Sequence, residues 1–389
     1  MPQMMKAHLT KASLSIDITP DSLDRELSGL KTWVAEEKDP VYKAILNHLL
    51  GYYTLDTGKR DEAAIDAAIA YFRLSLQDKD LLSRKSAADY RPMTVSKELS
   101  GKYCGDNMYQ LLARQAISRL SGYFIVNPVL AGKIQTEILS IYDGLIDFYQ
   151  QQGMTDARLL LMLDKLNYQG NDISRGGVNE NLRLTDEQVI TLLKQWAEEF
   201  SASPLCGEVY CQLAERYDRM QDYTAKLHAA QTGLEKYPQS PSVNDLKEQV
   251  AEVFTPRLVV EIPFAYPARE VDLKVKYRNL TGLTVELYRM NLPVTSNILK
   301  EEITASTVSR YGKLLGTRHY QLAATPDYME TDTLLRYKFP TEGIYILKSI
   351  PDGHRKYTAY GKAYASSLQA IFLGLPGGKE EINIIDRLT

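Results

Sequence analysis

Chemistry in a folded chain needs a few reactive side chain types at spacings that let them converge. Three adjacent carboxylate pairs stand out: Glu36-Glu37, Glu301-Glu302 and Glu380-Glu381. A general acid and a general base must face one substrate. Neighbours on a strand point to opposite faces, and neighbours on a helix diverge by about 100°, so these pairs read as solvated charge. The five histidines, His8, His48, His228, His319 and His354, show no HExxH or other ligand spacing. The three cysteines, Cys104, Cys206 and Cys211, are an odd number. Cys206 and Cys211 are five apart, which is neither a redox CxxC nor a zinc spacing. They read as small buried apolar groups and assign no compartment. There is no G-x-S-x-G elbow. The glycine-rich run Gly374-Leu375-Pro376-Gly377-Gly378 sits between two strand patterns. A phosphate cradle opens a helix, so this run reads as a hairpin loop. The expectation is a protein that binds without catalysing and without a metal or cofactor.

The charge balance narrows the partners. Lys and Arg total 46 and Asp and Glu 49, a formal charge of -3. That leaves no basic footprint for nucleic acid and no polybasic patch for a membrane. No apolar run approaches a membrane span, and residues 1–11 contain no apolar segment of a signal peptide. Tyrosine (26) greatly outnumbers phenylalanine (8), which suits thin layers where a ring is buried and its hydroxyl stays wet.

Helical patterning fills the first two thirds. Pro20-Asp21-Ser22 opens a helix with Leu23, Leu27, Leu30, Trp33 and Val34 on one face. Asp39-Pro40 ends it and starts the next, which carries the stripe Ile45, Leu49, Tyr52 and Tyr53. Gly58 breaks that helix, and Asp61 caps a third bearing Ile65, Ala68, Ile69 and Phe72. Residues 78–105 read as a long connection with a short helix. Helices are expected over Met108–Leu120, Leu130–Gln152 and Asp156–Leu166, followed by a loop over Gly170–Gly177. Thr185 caps a further helix with Asp186 and Glu187 in its first turn. Helices Leu205–Tyr217 and Tyr223–Tyr237 make a hairpin, closed by Pro238. Its small residues Ala214, Ala225 and Ala229 resemble a tetratricopeptide-type pair; a plain antiparallel pair explains them equally well. A last helix runs from Pro241 to Phe254.

At Thr255-Pro256 the apolar period falls from about 3.6 to 2. Strands are expected at Arg257–Ile262, Val271–Arg278, Leu283–Arg289, Thr317–Ala324, Thr333–Phe339, Gly343–Ile350, Ser367–Leu373 and Ile382–Asp386. Val271–Arg278 and Leu283–Arg289, joined at Asn279-Leu280-Thr281-Gly282, read as a hairpin. Asn291–Arg310 reads as an insertion with a helix at Ile298–Glu302. Closely spaced short strands indicate a β-sandwich. The fold class expected is α+β in two segregated regions: an all-α, TPR-like helical-hairpin array over 1–254, then an antiparallel sandwich over 255–389.

Several motifs, in order, resemble a known family. They are the hairpin ending Tyr237-Pro238-Gln239-Ser240, the strands VDLKVKYRNL (Val271–Leu280) and LTVELYRM (Leu283–Met290), the step Phe339-Pro340-Thr341-Glu342-Gly343-Ile344-Tyr345, and the close Ile384-Ile385-Asp386-Arg387-Leu388-Thr389. Together they resemble the N-terminal region of α2-macroglobulin-like proteins of the Bacteroidetes type, over about residues 185–389. In that family helices precede a first macroglobulin-type sandwich, and a DR.TG.P junction leads into the next. The resemblance implies the front part of a secreted, periplasmic or cell-envelope protease trap. Its partners would be target proteases, engaged through the whole protein, and downstream macroglobulin domains of the same chain. The family's thioester motif, CxEQ, is absent: Cys104 is followed by GDN, Cys206 by GEV and Cys211 by QLA. The alternative is an unrelated cell-envelope module binding a protein or glycan. Two surfaces are candidates for contact: the groove of the helical array and an exposed sandwich edge. Tyr266, Tyr288 and Tyr328 are candidate edge residues, with burial inside the sandwich as the competing reading.

Overall fold

The computed structural model describes residues 23–56, 61–90, 106–123, 125–171, 182–291, 303–375 and 379–386. Helices come first and antiparallel strands last, as the change of period predicts. Packing divides the chain into two compact units, Met1–Arg216 with Gly233–Val243, and Tyr217–Thr232 with Asn244–Thr389.

In the first unit, α1 (Leu23–Glu36), α2 (Pro40–Asp56) and α3 (Glu62–Leu76) pack with α5 (Met108–Ser121) and α6 (Pro128–Gln151) around one core. The short α4 (Lys79–Ser83) and a 3-10 turn at Ala87–Tyr90 lie between them. The stripe Leu23, Leu27 and Leu30 is buried as its spacing requires. Asp61 caps α3 by accepting from Ala64 N at 2.8 Å. α2 is buried more widely than its predicted stripe, through Val41, Ile45, Leu46, His48 and Leu50. Tyr52 instead remains 40% exposed, its face covered by Arg119 at 4.1 Å. α7 (Thr155–Asn171) runs on through Gly170, where a loop was expected. The helix comes close to another element there: a Cβ at Gly170 would sit 2.8 Å from the Arg216 guanidinium. Arg216 is in turn held by Asp186 at 3.0 Å.

α8 (Asp186–Glu199) begins with a capping box: Gln188 N donates to the Thr185 hydroxyl, and Thr185 N donates to Gln188 Oε1 at 2.9 Å. Such caps are worth about 1 kcal/mol. Thr185→Ala is therefore expected to lower the unfolding free energy, from urea titrations followed by tryptophan fluorescence, by about that amount, since Trp33 and Trp196 both lie in this unit. α9 (Cys206–Arg219) and α10 (Tyr223–Lys236) follow, then α11 (Val243–Phe254). The turn between α9 and α10 closes with Gln221 at φ 59° and with Asp222 accepting from Ala225 N at 2.9 Å.

In the second unit, the buried Lys226 ammonium donates to Asp218 at 2.7 Å and Glu252 at 2.9 Å. The sandwich consists of a three-stranded sheet, β1 (Arg257–Glu261), β2 (Glu270–Arg278) and β5 (Thr331–Lys338), in the order β1-β2-β5. Its second sheet contains β3 (Gly282–Met290), β4 (Gly312–Gln321), β6 (Gly343–Pro351) and β7 (Ala359–Ala365), in the order β4-β3-β6-β7. The expected β2–β3 hairpin is therefore overturned, because the two strands belong to different sheets. Asn279 redirects the chain at φ 56°. Its amide donates to Val253 O at 2.7 Å and Thr255 O at 3.2 Å, tying the strand end to the end of α11. The apolar stripes Leu273, Val275, Tyr277 and Leu283, Val285, Leu287 belong to one core contributed by both sheets.

β7 was not expected. Its core residues are Ala363 and Ala365, too small to give an apolar alternation. It also lies close against the continuation of β1: a Cβ at Gly361 would lie 2.4 Å from Ile262 Cδ1, and Ala265 bridges Ala365 in parallel. The helix predicted at Ile298–Glu302 lies outside the described residues. A short helix, α12 (Ala305–Tyr311), follows it and covers Met290 and Ile346. The last strands, β8 (Leu368–Leu375) and β9 (Lys379–Asp386), form a separate two-stranded ribbon.

Candidate protein-contact surfaces

The helical groove has a specific location. On α3, Asp66, Ile69, Ala70, Arg73 and Leu74 recur at helical spacing. On α6, Val129, Gly132, Lys133, Thr136 and Glu137 do the same, and together the two helices line an open cavity of about 1070 Å³. α6 starts here because Asn127 accepts from Val129 N at 3.0 Å and Leu130 N at 3.3 Å, followed by Pro128 at the first helical position. The floor is apolar, and two large side chains in it face water: Leu74 is 48% and Val129 68% exposed.

Ion pairs flank that floor. Glu137, only 3% exposed, receives Arg73 Nε at 2.9 Å and Nη2 at 2.6 Å on the same oxygen. The hydrogen bond to Glu137 raises the Arg73 pKa further above its usual value. Lys133 Nζ reaches Glu62 at 2.5 Å and Asp66 at 3.0 Å. The Thr136 hydroxyl is occupied, donating to Gly132 O at 2.8 Å. The lining holds no cysteine, serine or histidine, and its carboxylates are paired with cations. Such a groove can bury an apolar segment between its ion pairs; its lining holds no nucleophile–base arrangement.

The three tyrosines occupy three separate neighbourhoods. Tyr266 is half-buried between β1 and β2, with Arg269 over its ring at 5.5 Å. Tyr288 lies on β3, which is hydrogen-bonded on both sides, so it is not an edge residue. Its hydroxyl donates to Glu286 at 2.8 Å, and burial with that carboxylate pushes its pKa up to about 12. Tyr328, at φ 59°, meets the exposed Phe254 edge-on at 5.4 Å. The structure does not bring them together.

The other chemistry-bearing residues also stand apart. Glu37 accepts from the backbone of Lys38 and Asp39, both at 2.9 Å. Glu301, Glu302, His8 and Cys104 lie outside the described residues, as do residues 376–378 of the glycine-rich run. Glu381 accepts from Asn383 at 3.0 Å. His319 pairs with Asp352 at 2.7 Å, His354 meets Tyr357 edge-on, and His228 is exposed. Cys206 and Cys211 are buried free thiols; burial raises the Cys206 pKa. Among the described residues, no three His, Cys, Asp or Glu side chains are grouped to hold a metal. No described helix is long and apolar enough to cross a membrane.

Sequence reasoning pointed to a helical groove without its residues. The available signal was Leu74, an apolar residue off the Ile65–Ile69–Phe72 stripe, and Val129, in the first turn of a helix where polar residues are usual. No family model matches the chain, and no curated protein matches it.

Proposed function

We propose that this chain is a non-catalytic contact and scaffold region of an α2-macroglobulin-like protease inhibitor, in which a tetratricopeptide-type array precedes a macroglobulin-type sandwich. The observation that carries this reading is the role of the step Phe339–Tyr345. Tyr345 is wholly buried at the start of β6, and its hydroxyl donates back to Thr341 O at 2.7 Å. This is the tyrosine corner of two-sheet Greek-key sandwiches. One of the motifs that carry the resemblance therefore has a definite structural task, in a sandwich that follows helices in the family's order. The α3–α6 groove supplies an apolar, charge-flanked surface for protein contact.

The test uses the protein encoded by the whole reading frame, mixed with a panel of endopeptidases. Expected is a stable complex in which cleavage of large protein substrates is blocked. Leu74→Asp with Val129→Asp, both at exposed positions, is expected to weaken any contact made through the groove by about tenfold or more, with unchanged circular dichroism. Retention of glycans but of no protease would favour the cell-envelope module instead. Turnover in a hydrolase substrate panel, surviving repurification, would overturn the non-catalytic reading.

A further inference from the structure

Glu137 stands in the wall of the α3–α6 groove with its side chain only 4% exposed. Arg73 Nε and Nη2 both donate to one of its oxygens, Oε2. Among the described residues, none donates to the other oxygen, Oε1. While the groove is open, water serves that atom. A segment laid on the apolar floor would displace the water. A charged oxygen left dry without a donor costs as much as burying one leucine side chain gains, about 2–3 kcal/mol. An occupant that is apolar throughout therefore gains little, and one that brings a donor to Oε1 avoids the cost.

The surrounding charge selects the kind of donor. Three carboxylates, Glu62, Asp66 and Glu137, face two cations, Arg73 and Lys133. Among the described residues this leaves one negative charge uncompensated. Lys133 is shared between Glu62 and Asp66, so neither has a cation to itself. An acidic occupant would add to the excess, and a neutral donor would leave it in place. A cation removes it. The Arg73 side chain is 67% exposed, so water and salt screen its repulsion of an incoming cation.

We propose that the α3–α6 groove takes an apolar peptide segment bearing one lysine or arginine. An N–H of that side chain donates to Glu137 Oε1, and the neighbouring apolar side chains cover Leu74 and Val129. The proposal rests on the reading of this groove as a protein-contact surface and specifies what the partner segment carries.

Panning phage-displayed random dodecapeptides against the whole chain tests this. The counter-selection target is Leu74→Ser with Val129→Ser, which removes exposed apolar cover without changing the charge. Expected are peptides that bind the wild type but not this variant, and that carry lysine or arginine beside apolar residues. In calorimetry with those peptides, Glu137→Gln is expected to raise the Kd by at least about tenfold. Its amide oxygen still accepts from Arg73 while its NH2 faces the groove. Asp66→Asn, at a carboxylate 53% exposed, removes the excess charge without touching the core. It is expected to raise the Kd about threefold with unchanged thermal unfolding, and it carries the test should Glu137→Gln fail to fold. Groove-dependent peptides without lysine or arginine overturn the proposal and leave the groove a contact surface. So do cationic ones that bind the folded carboxylate variants as tightly as the wild type. Recovery of no groove-dependent peptide overturns the contact surface and the proposal together.

Discussion

Acidification from pH 6.5 to 4 is expected to remove about 3 kcal/mol of stability from the helical unit, and His48→Leu is expected to remove most of that dependence. His48 is 5% exposed on α2. Its ring meets Phe72 edge-on at 5.2 Å, and its Nδ1 has no hydrogen-bond partner in the structure. Burial alone pushes its pKa down from 6.5 to about 4. The unfolded chain takes up a proton as the pH drops below 6.5, whereas the folded chain resists until about 4. The stabilisation is therefore complete above pH 6.5 and is lost progressively down to the folded pKa. At about 1.4 kcal/mol per pH unit, that interval gives the stated figure. Urea titrations followed by tryptophan fluorescence across this range measure it. An equally steep loss in His48→Leu would assign the acid sensitivity to other groups. Asn47, the adjacent residue, leaves its buried Oδ1 without a hydrogen-bond donor as well, so this part of α2 holds two polar groups at a cost in stability.

Tyr345→Phe is expected to destabilise the sandwich by about 1 kcal/mol, the usual net worth of a hydrogen bond whose other partner, the exposed Thr341, can turn to water. The ring would keep its packing on Phe339, 5.1 Å away. What is lost is one hydroxyl with three partners: it donates to Thr341 O at 2.7 Å, receives Thr341 N at 3.3 Å and meets the Thr341 hydroxyl at 3.0 Å. Tyr345→Ala adds a cavity and should cost about 3–5 kcal/mol. The readout is the denaturant midpoint of the strand circular-dichroism signal with an unchanged m-value. An unshifted midpoint in Tyr345→Phe would mean that the corner contributes nothing to stability.

Local features were legible where one residue type determines them. Asp61 and Thr185 announce helix starts because only a short polar side chain can satisfy the open amides there. The change of period at Thr255 marks the first strand because a face repeats every second residue on a sheet. Partners were not legible. Alternation in Val271–Arg278 and Leu283–Arg289 shows which face each strand buries, and the same pattern serves a hairpin or two facing sheets. The difference rests on the Asn279 amide, held by carbonyls of Val253 and Thr255. β7 escaped notice because its core positions are Ala363 and Ala365, where a sequence pattern looks for valine and isoleucine. The extension of α7 through Gly170 was not legible because a glycine after a helical pattern reads locally as its end. The groove was hidden because the exposure of Leu74 and Val129 depends on how α3 and α6 pack. For Tyr288, alternation alone leaves an edge and an inner strand both open, because it says nothing of strand order.

The passage of the chain from β2 to the opposite sheet at Asn279 sets a timetable for synthesis. β2 takes β5 as a neighbour, with Val275 opposite Thr333, and β3 leaves the ribosome before either β5 or β6. At translation rates of about 5–20 residues per second, β2 waits on the order of 3–10 s for β5. During that interval β2 and β3 have only each other, β1 and, once it is made, β4 as strand partners. The sandwich is thus most open to chaperones, and most prone to misassembly, while the segment between β3 and β5 is being made.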